Sequence, residues 1–318
     1  MPPRSHRVMS APIRVALVGV GEIARHQHLP AIAADARFVL AATVDPAPGE
    51  SQPGVPHFAT LADLLRDGPA VDAVSLCTPP RIRPALATQA IDAGLAVMLE
   101  KPPAASLAAA TDLIDRAHRA GTPLFTAWHS REAAGVAAAR DWLAVRTVRA
   151  VDVQWREDVC QWHPGQDWLL AAGGFGAFDS GINALSILTA ILPARLVVEA
   201  CRLAIPANRA APICAEVEMR HGDAPVRATF DILHPGAPEW AISVTTDRGS
   251  LVLTEGGHAL SIDGAPVPAP AAAEYPRLYA RFAQLIDQHA SEVDLAPLML
   301  VADACLLASR ETVAPFHF

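Results

Sequence analysis

The chain has 318 residues, 25 basic against 33 acidic side chains and a formal charge of −8. That balance excludes a surface built to neutralise nucleic-acid phosphates, which takes clustered Lys and Arg. Apolar residues make up 52% and charged ones 18%, so the chain buries a large core and is not disordered.

The length suggests two domains. No apolar run approaches the roughly 20 residues of a membrane span. Residues 1–12 carry Arg4 and Arg7 but no apolar stretch, and read as a loose leader, not a signal peptide. The cysteines (Cys77, Cys160, Cys201, Cys214, Cys305) are scattered without a C-x-x-C pair, so neither a disulfide framework nor a metal site is expected. A reducing cytoplasm is their simplest home.

The first 128 residues alternate between apolar runs at 13–18, 38–44, 71–77, 96–100 and 123–127 and helical patterns at 22–34, 84–93 and 106–120. The runs are apolar on both faces, as in parallel strands covered by helices, which predicts a doubly wound α/β domain. A helix over 133–143 and an alternating strand around Val151, Val153 and Trp155 follow. The stretch 158–176 is irregular, and 182–192 reads as an apolar helix. Strands at 196–203, 213–219, 226–232, 240–246 and 250–254 succeed one another without helices, which indicates an antiparallel sheet. A loop over 264–273 leads to helices at 275–289 and 296–309.

Four segments fall where strands give way to loops or helices. Gly19-Val20-Gly21-Glu22-Ile23-Ala24 is G-x-G-x-x-A at the first strand–helix junction. Its first glycine permits a tight turn, its second lets backbone approach a pyrophosphate, and Ala24 allows close packing. Asp45 lies 21 residues beyond Ala24, where a carboxylate accepts hydrogen bonds from ribose hydroxyls and repels a 2′-phosphate. It also suits a plain turn before Pro46. This favours NAD over NADP. Cys77-Thr78-Pro79-Pro80 closes the third strand and Glu100-Lys101-Pro102-Pro103 the fourth, both on the edge that faces a ligand. There Glu100 can pair with Lys101 or a ribose.

Of the 25 basic residues, Lys101 is the single lysine. Arg keeps its proton in proteins whereas an amine can release it, so one lysine on that edge marks a required amine. In Asp179-Ser180-Gly181-Ile182-Asn183, residues 179 and 183 share a helix face, although Asp179 or Ser180 equally suits an N-cap. His129, Glu157, Trp162, His163 and Trp240 supply ring faces and polar tips of the kind that meet sugars, and each is equally compatible with core or surface.

These strings resemble the Gfo/Idh/MocA oxidoreductases over about residues 13–310. Within them the chain is similar to the bacterial aldose 1-dehydrogenases acting on L-arabinose and D-galactose. The segments that carry this are Met98-Leu99-Glu100-Lys101-Pro102-Pro103, Trp128-His129-Ser130-Arg131, Trp162-His163-Pro164-Gly165-Gln166, Phe178 to Ser186, and Glu274-Tyr275-Pro276.

The resemblance implies a Rossmann domain over 11–128 and an α+β domain over 129–318 with an open, mainly antiparallel sheet that serves as a homodimer face. Helices over about 274–310 would pack back on the first domain. It implies NAD-dependent oxidation of an aldose at C1, with NADP less favoured. Lys101, Asp179 and Asn183 would form the catalytic set. Gly19, Gly21, Glu22, Ile23, Asp45, Cys77, Thr78, Pro79 and Glu100 would hold the cofactor. Lys101, His129, Glu157, Trp162, His163, Asp179, Asn183 and Trp240 would line the sugar. Alternatives within the resemblance are an inositol or polyol dehydrogenase, a keto-sugar reductase, or a sugar- or NAD-sensing regulator. The chain departs from the family in carrying Asn183 where His is usual, so proton transfer should rest with Asp179 or Lys101.

Overall fold

The computed structural model describes residues 11–47, 52–269 and 273–318; the expected leader therefore lies almost wholly outside the described residues, as does part of the 264–273 loop. The first sheet contains β1 (Ile13–Val18), β2 (Phe38–Val44), β3 (His57–Phe58), β4 (Ala73–Leu76), β5 (Ala96–Glu100) and β6 (Leu124–Ala127). All pair in parallel, in the order β3-β2-β1-β4-β5-β6. The order reverses beside β1, which opens a crevice at the carboxyl ends of β1 and β4. Helices α1 (Leu29–Ala34), α2 (Leu61–Asp67), α3 (Arg83–Asp92) and α4 (Leu107–Ala120) connect the strands.

Two details differ from expectation. The helix expected over 22–34 is a π-turn (Ala24–His28) followed by α1, and Pro30, which has no N–H to continue the ladder, sits at the junction. The short β3 and α2 are additional. The hydroxyl of Thr60 caps α2 by accepting from Asp63 N at 3.1 Å.

The second half adds α5 (Val136–Leu143), β7 (Val148–Arg156), α6 (Val159–Trp162) and α7 (Ala177–Ile191). Strands β8 (Leu196–Pro206), β9 (Cys214–His221), β10 (Ala224–Asp231), β11 (Glu239–Thr246), β12 (Gly249–Thr254), β13 (Ala259–Ile262) and β14 (Ala265–Val267) follow, then α8 (Glu274–Gln288), α9 (Ala296–Leu307) and β15 (Ala308–Val313). The sheet runs β14-β13-β12-β11-β7-β10-β9-β8-β15. It is antiparallel except where β10 meets β7 and β15 meets β8. Its residues alternate between buried and exposed, as in β9. The buried face packs on α7 through Ile182, Leu185 and Leu188, and the other carries ion pairs such as Arg220–Glu199 at 2.9 Å. No helix among the described residues is long and apolar enough to cross a membrane.

The last two helices part company. Helix α8 lies on the first sheet, where Tyr275, Leu278, Tyr279 and Phe282 join Val15, Phe38, Met98 and Phe125 in one core. Helix α9 does not follow it: Leu298, Leu300, Val301 and Ala304 belong to the core of the second sheet. The chain runs from α9 straight into β15 beside β8, which ties it there.

Helix α7 starts at Ala177, earlier than the apolar run starting at Ile182 suggests, so neither Asp179 nor Ser180 is its cap. Gly176 holds that place with φ 54° and ψ −132°, in a region almost reserved for glycine. A Cβ there would stand 2.1 Å from the carbonyl oxygen of Pro212. Gly176→Ala should therefore lower stability by about 2 kcal/mol or more. Urea denaturation checks this, and an unchanged midpoint would contradict it.

Candidate active site

Gly19 adopts φ 87°, and a Cβ on it would sit 3.0 Å from Thr78 Cγ2 and 3.1 Å from Cys77 C, so glycine is what lets β1 and β4 converge. A Cβ on Gly21 would meet nothing within 4 Å, leaving this backbone open to a ligand. Asp45 accepts from Val20 N at 2.8 Å and from Ala47 N at 2.9 Å. The carboxylate thus ties the glycine turn to the end of β2 and closes its own turn as well, leaving lone pairs for a further donor. Glu22 and Ile23 are exposed beside the turn, Glu22 at 3.1 Å from His26. Pro79 is exposed, and burial pushes the Cys77 thiol well up. Thr78 is 9% exposed, and its hydroxyl is buried without a partner. An open glycine backbone and an orphaned hydroxyl at the crevice fit a dinucleotide.

Lys101 follows β5 on a turn held from beneath. Arg83, almost fully buried, donates to the carbonyls of Thr78, Glu100 and Pro102. Burial pulls its guanidinium down to about 10. Of the two partners expected for Glu100, it meets Lys101, through the backbone N–H, and its carboxylate faces a buried seam. It accepts from Tyr275 Oη at 2.7 Å and Lys101 N at 2.9 Å, and lies 2.9 Å from His28 Nε2. Burial alone would raise its pKa; the hydrogen bond and charge of His28, with help from Tyr275, outweigh that and bring it to about 2. His28 Nδ1 is 2.8 Å from Tyr279 Oη, which is 3.0 Å from Ser75 Oγ.

The Lys101 amine crosses to the second domain. Nζ donates to Asp179 O at 2.9 Å and lies 3.4 Å from Asp179 Oδ2, with side chains 15% and 8% exposed. His163 Nε2 stands 4.0 Å from the same carboxylate oxygen. Burial lowers the His163 pKa while the charge of Asp179 works against it. Glu157 is buried and accepts from Trp240 Nε1 at 2.9 Å. Burial raises its pKa, and the nearby Lys101 opposes this. The exposed Trp162 ring lies 5.3 Å from that of Trp240. His129 Nδ1 is 2.9 Å from Glu274 Oε2, and its ring stacks on Tyr275 at 5.7 Å.

Lys101, Asp179, Glu157, His163, Trp162 and Trp240 are therefore gathered by direct or shared contacts. His129 joins them through Tyr275 and Glu100. Asn183 sits one turn beyond Asp179, half-buried, and its amide makes no hydrogen bond among the described residues. No group of three metal-ligating side chains gathers among the described residues.

The sequence reading did not find Arg83, His28 or Tyr279. One signal was available: the chain has two tyrosines, Tyr275 and Tyr279, four apart and hence on one helix face.

The oxidoreductase family with an NAD-binding Rossmann fold, Gfo/Idh/MocA, matches residues 13–127. Galactose 1-dehydrogenase of Pseudomonas fluorescens is 45% identical over 307 residues, covering 96% of this chain and 99% of the relative. The crystal structure of a D-galactose-1-dehydrogenase protein from Rhizobium etli superposes with a TM-score of 0.91 at 47% identity, covering 97% of this chain and 99% of that one. KijD10, a 3-ketoreductase from Actinomadura kijaniata, shares the fold, with a TM-score of 0.80 at 18% identity and coverage of 96% and 100%.

Glu100 titrates at about 2 in the folded chain against an ordinary 4.5, so its stabilisation is complete above about pH 4.5 and disappears as pH falls toward 2. Glu100→Gln should cost on the order of 3 kcal/mol at neutral pH. The gap between the two proteins should close on acidification. Chemical denaturation at several pH values checks this, and a gap independent of pH would contradict it.

Proposed function

Because the chain belongs to the Gfo/Idh/MocA family of NAD-binding oxidoreductases, we propose that it oxidises an aldose of the D-galactose or L-arabinose type at C1, yielding the aldonolactone. The observation that carries this reading is the contact of Lys101 Nζ with Asp179, beside an exposed Trp162, a half-buried Trp240 and a buried carboxylate. The names of the full-length relatives support the sugar class.

A bound nicotinamide would supply the hydride acceptor for C1. Gly19, Gly21, Thr78 and Asp45 would hold the dinucleotide, with Glu22, Ile23, Cys77 and Pro79 around it. Asp179 takes the proton from the C1 hydroxyl. The Lys101 amine donates to O1 as negative charge develops there, a preorganised donor largely shielded from solvent. Asn183, an amide that cannot shuttle protons, orients the sugar by hydrogen bonds. Trp162 and Trp240 offer ring faces to its C–H surface, and Glu157, His163 and His129 meet its hydroxyls.

Asp45 favours NAD, since its carboxylate repels a 2′-phosphate and Pro46 supplies no cation. The ion-paired open face of the large sheet is the surface for pairing with a second copy, and the free cysteines suit a reducing cytoplasm.

Initial rates over a panel of aldoses and polyols, each with NAD⁺ and NADP⁺, test the reading. Aldose-dependent NADH formation is expected, and tight sugar binding without any absorbance change would overturn it. Lys101→Arg and Asp179→Asn should each lower kcat by about 100- to 10,000-fold while NAD⁺ affinity holds. Near-normal turnover of either variant would contradict the roles of the amine and the carboxylate. Asp45→Ser combined with Pro46→Arg should move the ratio of kcat/KM values toward NADP⁺, and an unmoved ratio would contradict the cofactor assignment.

A further inference from the structure

Glu274 opens α8 and reaches across the junction of the two sheets. One carboxylate oxygen lies 2.9 Å from His129 Nδ1, and the other 3.2 Å from His258 Nε2. All three side chains are largely shielded, at 18%, 18% and 32% exposed. The Tyr275 ring stacks on His129, with planes 20° apart. Tyr275 is itself fixed by its hydroxyl bond to Glu100, the residue before Lys101. One imidazole is therefore held by a stacking ring and by a carboxylate, on a short turn (His129–Glu132) at the end of β6.

A carboxylate accepts and does not donate, so the facing nitrogen of His129 must carry the hydrogen. Ser130 Oγ, at 3.4 Å from the same nitrogen, is the weaker partner. The buried Nδ1 of His258 has no partner, which places the hydrogen of that ring on Nε2, beside the carboxylate. Among the described residues His129 Nε2 takes no partner, and it is absent from the buried unsatisfied atoms. It is the free end of the ring.

We propose that Glu274 sets the hydrogen-bond polarity of the sugar site: by holding the Nδ1–H of His129 it leaves Nε2 as a bare acceptor, so that His129 receives a hydrogen bond from a substrate hydroxyl and selects for a donor there. Glu274 and Tyr275 are positioning residues, acting through His129. The selection step rests on the aldose reading, whereas the tautomer does not.

Two measurements on the full-length protein separate these parts. Nitrogen NMR of histidine-labelled protein at about pH 8, above the ordinary imidazole range, reads the tautomer directly, with His129 assigned by its loss in His129→Gln. A locked Nδ1–H form is expected, and an Nε2–H form or the averaged signal of a solvated ring would overturn the proposal.

Deoxy and deoxyfluoro versions of the best aldose then read the polarity, because fluorine cannot donate. At one ring position both analogues should lose about 10- to 100-fold in kcat/KM, mostly through KM. Glu274→Leu removes the acceptor that holds Nδ1–H, so the ring hydrogen is free to move to Nε2 and the fluoro penalty at that position should shrink to a few-fold. A fluoro analogue as good as the parent at every position, or a penalty unchanged in Glu274→Leu, would overturn the selection. Failure to oxidise any aldose would count against the dehydrogenase reading alone, since the NMR result needs no turnover.

Discussion

An amine and a carboxylate from different domains are held in contact where both are mostly shielded from solvent, and buried polar groups beneath them keep them there. Lys101 and Asp179 are 78 residues apart, and both side chains are mostly shielded. Withdrawing two charges from water costs several kcal/mol per ion, and their attraction offsets this only with good geometry and further hydrogen bonds. Part of that offset is visible, since Nζ also donates to the backbone oxygen of Asp179. A contact so expensive contributes little to stability for its own sake, and under the proposed oxidation its value lies in chemistry at the cleft.

The two partners owe their placement to buried polar groups below them. Arg83 fastens three carbonyls, so the ends of β4 and β5 cannot drift apart. Glu100 locks the backbone of Lys101 against His28 and α8. Removing one partner from such a network leaves the others unsatisfied in a low dielectric, which is why the network specifies one geometry. On the other side, α7 is brought close by the absence of side chains: Gly181 presses on the Phe230 ring, where a Cβ would approach to 2.6 Å.

Much of this was legible in the sequence because it is local. The alternation of strands and helices, the glycine turn and the solitary lysine are patterns within a few residues of one another, and the structure shows the parallel sheet they implied. The N-cap reading of Asp179 failed because the start of α7 depends on Gly176 meeting Pro212, a contact between distant segments. Glu100 was expected to pair with Lys101 or a ribose; it does accept from Lys101 N, while its other partners, His28 and Tyr275, lie 72 and 175 residues away and could not be read locally. Arg83 looked like one of many arginines, since nothing in its neighbourhood shows that three carbonyls converge on it. The separation of α8 from α9 was hidden for a related reason: α8 is amphipathic and α9 apolar nearly all round, neither pattern names its partner, and β15 ties α9 to the second core.

The most direct measurement is a double-mutant cycle in kcat/KM for the best aldose, using Lys101→Met, Asp179→Asn and the pair together. If the two groups act as one unit, the double variant should be about as slow as the slower single variant. Losses that multiply would show that the amine and the carboxylate work independently, and would contradict the account.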